Sequence, residues 1–273
     1  MTQLNFRQRR TIAIAVTVFA LAIVWLLTQY QNSRLGHGSY VTGASCLAAL
    51  LMLVMIGVRR RIPVLKLGSV STWTQVHIYT GFFATAVYVM HVPSLIAGGK
   101  FEFGLSLLFW IVSISGFYGL YASRMLPRRL AMIRSEKRFD QMSWHRSQLA
   151  TVAGKLIGEV DDQATSRVLG SYYVKFLQPF FVTRPTFAYV LVPSGTRKRR
   201  LLAGLRELNR YLEDDGRAMA GQFAYLVRQR DDLDYQFALQ LRLRLWLVVH
   251  AVFSIMLVAG SIMHAFVAWR FTS

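Results

Sequence analysis

The sequence predicts an all-α membrane protein, a bundle of five transmembrane helices with a mainly helical cytoplasmic insertion between the fourth and fifth helices. Of its 273 residues, 54% are hydrophobic and only 16% are charged, whereas soluble domains carry about 25% charged residues. The 32 Lys and Arg residues far outnumber the 13 Asp and Glu residues, and they cluster in a few segments. Five long windows contain no charged side chain. Together these observations exclude an ordinary soluble protein.

Each apolar window is long enough to cross a bilayer as a helix. The hydrocarbon core is about 30 Å thick and requires about 20 apolar residues, whose backbone must be satisfied internally. The windows are residues 11–30, 40–58, 72–97, 103–123 and 245–269. No small-residue cleavage site follows the first window, which therefore indicates a retained anchor rather than a signal peptide.

The distribution of basic residues predicts the orientation of the chain. With five spans, 29 of the 32 cations fall on one side of the membrane, which the positive-inside rule makes cytoplasmic. We therefore expect a multi-pass inner-membrane protein with a cytoplasmic N-terminus and an external C-terminus. The predicted regions are helices 1–4 over 1–123, a basic insertion over 124–244, and helix 5 over 245–273. This asymmetry accounts for the high net charge without nucleic-acid binding.

The insertion is too long to be a structureless loop. Residues 197–243 show helical periodicity, and the pattern continues into the fifth window. The aromatic and β-branched residues of 172–192 indicate one or two short strands or irregular chain instead. The insertion is either a small helical cap or a docking platform for a cytoplasmic partner.

Four histidines lie inside the predicted spans. His77 and His91 belong to the third span, and His250 and His264 belong to the fifth. Each pair is separated by 14 positions, which is a rise of about 21 Å and a rotation about 40° short of four full turns. Each helix therefore presents two imidazoles on nearly one face, one towards each membrane surface.

The direction of the helices decides which histidines can meet. The third and fifth spans are parallel in a five-span chain, which predicts that His77 meets His250 on the cytoplasmic side and His91 meets His264 on the outer side. If the two helices ran antiparallel, the histidines would still lie at matching depths, but His77 would meet His264 and His91 would meet His250.

Two imidazoles at each level favour haem over other metal centres. Zinc takes at least three protein ligands, and no Asp, Glu or Cys lies near. Haem iron needs only two axial ligands, so we expect two bis-histidine b-type haems, an inner one on His77 and His250 and an outer one on His91 and His264. The single cysteine excludes a cysteine-ligated iron–sulfur cluster within the chain and covalent attachment through a CxxCH motif.

Other residues fit this interpretation. Arg244 and Arg270 lie six residues outside His250 and His264, where they could bind haem propionates or simply anchor the helix at the interface. Gly81 lies one turn after His77 and Gly260 one turn before His264, which would let a flat macrocycle approach the backbone.

At these histidines the chain resembles dihaem b-type membrane cytochromes. The His-x13-His spacing on two helices is similar to the cytochrome b of quinol–cytochrome c oxidoreductases. Its placement on the third and fifth spans is similar to the transmembrane domain of ferric reductases and NADPH oxidases. The resemblance implies that His77, His91, His250 and His264 are axial ligands. Two departures from the reductases stand out: they usually have a sixth span that leads to a flavin and nicotinamide domain, whereas this sequence stops four residues after Trp269, and its segment between the fourth and fifth spans is longer than expected.

These features predict an electron-transfer subunit of an oxidoreductase complex. We expect it to transfer electrons between a cytoplasmic iron–sulfur or flavin protein and an outer-side c-type cytochrome, which could be a multihaem cytochrome. The +10 charge of residues 124–244 would attract an acidic cytoplasmic partner. Membrane lipid is the other counterpart for this charge. One alternative is the cytochrome b subunit of a quinol dehydrogenase or quinone reductase, with quinone as a further cofactor. An alternative of another class is a proton or metal transporter with a histidine relay.

Overall fold

The computed structural model describes residues 6–34, 36–61, 69–133, 137–158 and 163–272. Within these ranges the protein is all-helical, as predicted, with ten α-helices and no strand. The helices are α1 (Phe6–Ser33), α2 (Gly38–Arg61), α3 (Val70–His91), α4 (Lys100–Ala131), α5 (Met142–Gly158), α6 (Gln163–Tyr172), α7 (Gln178–Val182), α8 (Phe187–Leu191), α9 (Thr196–Leu208) and α10 (Asp214–Thr272). Residues 134–136 and 159–162 of the predicted insertion lie outside the described residues.

In the described part of the chain, four helices are long and apolar enough to span a membrane, which supports the predicted multi-pass character. They are α1, α2, α4 and the long α10. The predicted third span forms the 22-residue helix α3, but α3 is not one of these four because Gln75, His77 and His91 reduce its apolarity. The predicted fifth window, 245–269, lies entirely within α10.

Helix α3 ends earlier than the predicted window, which reached residue 97. Its first turn is capped by Ser69, whose hydroxyl accepts a hydrogen bond from the Thr72 amide. Its last residue is His91, because Pro93 disfavours helical geometry at the residue before it and has no amide to donate. The following turn is held at the Leu95 carbonyl, which accepts hydrogen bonds from the Tyr88 hydroxyl and the Trp110 indole.

The predicted strands around 172–192 are wrong. The segment contains the end of α6, a π-helical turn at Tyr173–Leu177, α7 and α8. Tyr173, Leu177, Phe180 and Phe181 are buried in one cluster, and their spacing follows a helical period rather than an alternating one. The predicted continuation of a helix from about residue 223 into the fifth span is confirmed, because α10 is a single helix of 59 residues.

The chain divides into two compact units. The first unit comprises residues 1–121 and 246–273, and the second unit comprises residues 122–245. In the first unit, α3 packs closely on α1 and α2 but hardly at all on α10 among the described residues. Five helices share one core in this unit, and its buried members are Val24, Cys46, Leu50, Val87, Tyr88, Phe109 and Leu257.

The outer surface of the first unit is apolar. Phe19 is 68% exposed, and Ile114 and Ile255 are similarly open. Exposed apolar side chains on helices of this length are typical of surfaces that face lipid rather than water. The second unit has its own buried core, which α9 and α10 share with the α5 to α7 segment through Leu201, Leu205, Phe223 and Val227.

Candidate functional site

The four histidines of α3 and α10 form two pairs in the first unit. The imidazole centres of His77 and His250 are 6.5 Å apart, with ring planes inclined at 70°. Those of His91 and His264 are also 6.5 Å apart, with planes inclined at 78°. The structure thus brings each histidine of α3 to the α10 histidine in the same order along the helix, so α3 and α10 run parallel.

The spacing of both pairs is too wide for a direct hydrogen bond and suits a shared metal. Two hydrogen-bonded imidazoles have nitrogens about 3 Å apart, which places their ring centres about 5 Å apart. A metal–imidazole bond is about 2 Å long and a ring nitrogen lies about 1.1 Å from its ring centre, so two imidazoles on opposite sides of one metal have centres about 6.2 Å apart. The observed 6.5 Å is close to the second arrangement.

The imidazoles of each histidine-bearing helix contact one neighbouring helix. Nδ1 of His77 lies 3.1 Å from the Leu53 carbonyl oxygen, and Nδ1 of His91 lies 3.0 Å from Oγ1 of Thr42. Both partners belong to α2. Helix α2 therefore orients both imidazoles of α3.

Helix α4 does the same for α10. Nδ1 of His250 lies 2.7 Å from Oγ of Ser115, and Nδ1 of His264 lies 3.8 Å from a carboxylate oxygen of Glu102. Metal-bound histidines commonly direct their second nitrogen to such carbonyl, hydroxyl and carboxylate oxygens, which hold the ring in position.

The hydroxyl groups that contact His250 and His91 also donate hydrogen bonds of their own. A hydroxyl has one proton to donate. Ser115 donates it to the Val112 carbonyl, and Thr42 donates it to the Ser39 carbonyl. With that proton engaged, each oxygen is available to accept from Nδ1–H of its histidine, and in that tautomer the lone pair of the imidazole is on Nε2.

The groups beside the other two histidines have no proton to donate. The Leu53 carbonyl and the Glu102 carboxylate are acceptors. The Leu53 carbonyl accepts from Nδ1–H of His77, which leaves the lone pair of that ring on Nε2, whereas the 3.8 Å between Glu102 and His264 is an electrostatic contact rather than a hydrogen bond.

Glycines lie against the edges of two of the rings. A Cβ atom on Gly43 would be 3.1 Å from Cε1 of His91, and one on Gly116 would be 3.7 Å from Cε1 of His250. Each glycine directly follows the hydroxyl residue that bonds the same histidine, so Thr42-Gly43 and Ser115-Gly116 are equivalent supports in α2 and α4. A Cβ on Gly81 would have no neighbour within 4 Å, whereas one on Gly260 would meet Leu105. Gly81 thus borders open space, and Gly260 serves helix packing.

Aromatic side chains cover the α10 histidines. The Trp246 ring stacks on His250 with centres 5.5 Å apart, and its indole donates to the Ser115 carbonyl at 2.8 Å. The Phe101 ring lies 6.4 Å from His264 at an angle of 29°. These contacts limit the rotation of each ring.

The two arginines predicted to bind haem propionates have different surroundings. The Arg244 guanidinium lies over the Phe139 ring, 4.1 Å from its centre, within the second unit. Arg270 is exposed in the last turn of α10, where a cation favours the helix dipole. The interfacial-anchor interpretation is sufficient for what the structure shows of both residues.

The donor set fits haem better than a protein-only metal centre. Among the described residues, no group of three or more His, Cys, Asp and Glu side chains is arranged to hold a metal ion. Two imidazoles facing across a gap between helices match a metal that already carries an equatorial macrocycle. Comparison of the chain with known protein families, curated proteins and solved structures finds no match.

Sequence reasoning missed the groups that hold the ligands. Thr42, Ser115 and the two glycines were not predicted, and neither was the contact of Glu102 with His264. A signal existed, because Thr42-Gly43 and Ser115-Gly116 are polar–small dipeptides inside otherwise apolar windows. Such residues are also common at ordinary helix contacts in membranes, so the dipeptides become informative only when a histidine is seen beside them.

Proposed function

We propose that this protein is a transmembrane electron-transfer subunit that holds two b-type haems, each between one histidine of α3 and one of α10. The single observation that carries the proposal is the distance of 6.5 Å between the imidazole centres, which is the same in both pairs. Haem supplies one-electron chemistry at its iron when it is bound. His77 and His250 would hold the inner group, and His91 and His264 the outer one.

The chain's own contribution is orientation and exclusion of water. The Nδ1 contacts to α2 and α4 direct the Nε2 atoms towards the gap, and the apolar surroundings keep the site dry. A neighbouring oxygen that accepts from Nδ1–H raises the electron density of the imidazole. The two levels lie about 21 Å apart along α3. One apolar unit would thus carry two redox sites at different depths.

A histidine relay for protons is less well supported. A relay passes a proton from an N–H group to an adjacent lone pair along a hydrogen bond of about 3 Å. Here the ring centres of each pair are 6.5 Å apart, which is too far for such a bond between the two rings. A metal ion bound by both rings of a pair fits this distance better than a proton shared between them.

The proposed topology has five spans, with α3 as the third, in the inner membrane. The N-terminus and residues 124–244 are cytoplasmic, and the C-terminus is external. The proposed partners are a cytoplasmic iron–sulfur or flavin protein on the basic insertion and a c-type cytochrome outside. The net charge of +10 on residues 124–244 supports an acidic cytoplasmic partner.

The test is visible spectroscopy of the purified full-length protein with a pyridine haemochrome assay. We expect two haems per chain, with absorption bands that shift on reduction by dithionite. His77→Ala and His250→Ala should each remove one haem, and His91→Ala and His264→Ala the other. The exposed His37 provides the matched control, His37→Ala, which should keep both haems. A colourless protein, or one in which His77→Ala retains both haems, would refute the assignment.

A further inference from the structure

The second unit contains an open cleft of about 550 Å³. Its walls are mostly apolar and include Phe139, Phe187, Val190, Phe237 and Leu241. The Phe139 and Phe237 rings are stacked, with centres 5.3 Å apart. The cleft thus offers space and apolar surface for a hydrocarbon or aromatic body rather than for a small ion alone.

Two arginines line the same cleft. Arg184 is exposed at its edge. Arg146 is only 8% exposed, and its Nε atom is buried without a hydrogen-bond partner. Its guanidinium lies 5.4 Å from the centre of the Phe237 ring. A buried cation with an unmet donor is costly unless an anion compensates it.

The nearby carboxylates do not balance these cations. Asp234 is the carboxylate that contacts Arg146, at 3.4 Å, but it also forms a closer ion pair with the fully buried Arg230. Burial and the neighbouring Arg230 lower the pKa of Arg146, although Asp234 opposes this effect. Asp140, the acidic residue among those lining the cleft, pairs with Arg138 at 3.1 Å.

Exposed apolar side chains continue from the cleft along the same stretch of chain. Phe187, which lines the cleft, is 65% exposed, and Val182 and Val192 on either side are 66% and 73% exposed. Arg184 lies between Val182 and Phe187, and the exposed Lys175 precedes them in the chain. Apolar side chains mixed with cations are typical of segments that bind an anionic lipid interface.

We propose that this cleft binds an anionic phospholipid, with the phosphate between Arg146 and Arg184 and the acyl chains along the phenylalanines. The two guanidiniums match a phosphate, and the apolar walls match a hydrocarbon chain. Because this assignment uses residues of the second unit alone, it is independent of the haem proposal.

The test is native mass spectrometry of the full-length protein in a non-ionic detergent. The binding of phosphatidylglycerol is compared with that of phosphatidylcholine, and both lipids carry the same acyl chains. We expect tighter binding of phosphatidylglycerol, and Arg184→Ala should weaken it about tenfold, because one charge-assisted contact is lost. Arg184 is exposed, so its truncation leaves the fold intact. Arg200→Ala, an exposed arginine of α9 outside the cleft, is the matched control and should bind like the unmodified protein.

A second arm separates a lipid from a soluble phosphate ligand. Phe187→Ser should weaken binding of long-chain phosphatidylglycerol, while millimolar inorganic phosphate should not displace this lipid. The proposal is overturned by equal binding of the two lipids or by equal effects of Arg184→Ala and Arg200→Ala. It is also overturned if inorganic phosphate competes fully and Phe187→Ser has no effect, which would identify a soluble phosphate site.

Discussion

Oγ of Ser115 lies 2.7 Å from Nδ1 of His250 and donates its own proton to the Val112 carbonyl. The serine oxygen is therefore available to accept from Nδ1–H of the imidazole, and the contact restricts rotation of the ring. Thr42 has the same relationship to His91 at the other level. This hydroxyl-to-imidazole contact is present once in each pair and holds one ring of that pair in position.

Ser115→Ala should weaken the inner haem site by about tenfold in haem affinity, because outer-shell partners of a histidine ligand contribute about 10–100-fold. The measurement is retention of haem during dilution or transfer to an apo-protein acceptor, followed at the Soret band. Ser254→Ala is the control, since the Ser254 hydroxyl bonds the His250 carbonyl and not its ring. Equal haem loss in the two variants would contradict the role given to Ser115.

Gly43→Leu should disrupt the outer haem site and spare the inner one. A Cβ at Gly43 would already lie 3.1 Å from Cε1 of His91, and a larger side chain would push the ring out of position. Gly57→Leu on the same helix is the control, because a Cβ there meets nothing within 4 Å. The haem content of each variant decides the matter. Two haems retained in Gly43→Leu would show that His91 does not need this close contact.

Glu102→Gln should raise the midpoint potential of the outer haem, because a nearby negative charge favours the ferric state. Glu102 and His264 are each about one-third to two-fifths exposed, and exposed ion pairs contribute about 0.2–1 kcal/mol. This corresponds to a shift of about 10–40 mV, since 59 mV is a tenfold change for one electron.

The potential shift is best measured by spectroelectrochemical titration in the His77→Ala background, which should retain the outer haem alone. Asp140→Asn, a carboxylate of the second unit, serves as the charge-matched control. A fall in potential, or an equal shift in the control, would argue against a direct effect on His264.

Arg230→Ala should destabilise the second unit by about 3–5 kcal/mol, because it leaves the Asp234 charge buried without its closest partner. Arg230 is fully buried, and its Nη2 also donates to the Thr183 carbonyl at 2.8 Å. Loss of protease resistance in the segment around residues 178–192 is the measurement. The exposed Arg228→Ala should be neutral, and Arg230→Ala with Asp234→Ala should recover part of the loss. If the double variant is no more resistant than the single one, the buried charge is not the cause.

The proposed topology predicts opposite labelling of two engineered cysteines. Cys46 is buried and is the single cysteine of the chain, so a Cys46→Ala background is free of thiols. A membrane-impermeant maleimide should label Lys100→Cys from outside intact cells or spheroplasts, and Arg200→Cys only after the membrane is opened. The same accessibility at both positions would refute the five-span arrangement.

The long helices and the pairing of the histidines follow from short-range periodicity. A 14-residue spacing on two apolar helices is enough to predict which rings can share a level, and the structure places His77 with His250 and His91 with His264. The groups around the rings depend on how α2 and α4 pack on their neighbours. Neither Thr42 nor Ser115 carries a local pattern that identifies its tertiary partner.

The two local errors have physical causes. Residues 172–192 are rich in residues that favour strands, but burial at helical spacing outweighs this weak preference. The α3 window was extended to residue 97 by apolarity alone, whereas Pro93 and the turn at Leu95, with its positive φ of 65°, end the helix at His91. Backbone restrictions are thus better guides to the end of this span than hydropathy.

The order of the ligands along the chain constrains when the protein can mature. In each pair 173 residues separate the two histidines, His77 from His250 and His91 from His264. At a translation rate of 5–20 residues per second, the second ligand leaves the ribosome about 10–35 s after the first. With haem in the proposed sites, the half-made protein offers each porphyrin a single imidazole. Stable loading must therefore follow membrane insertion of the last helix, and a prematurely terminated chain remains colourless.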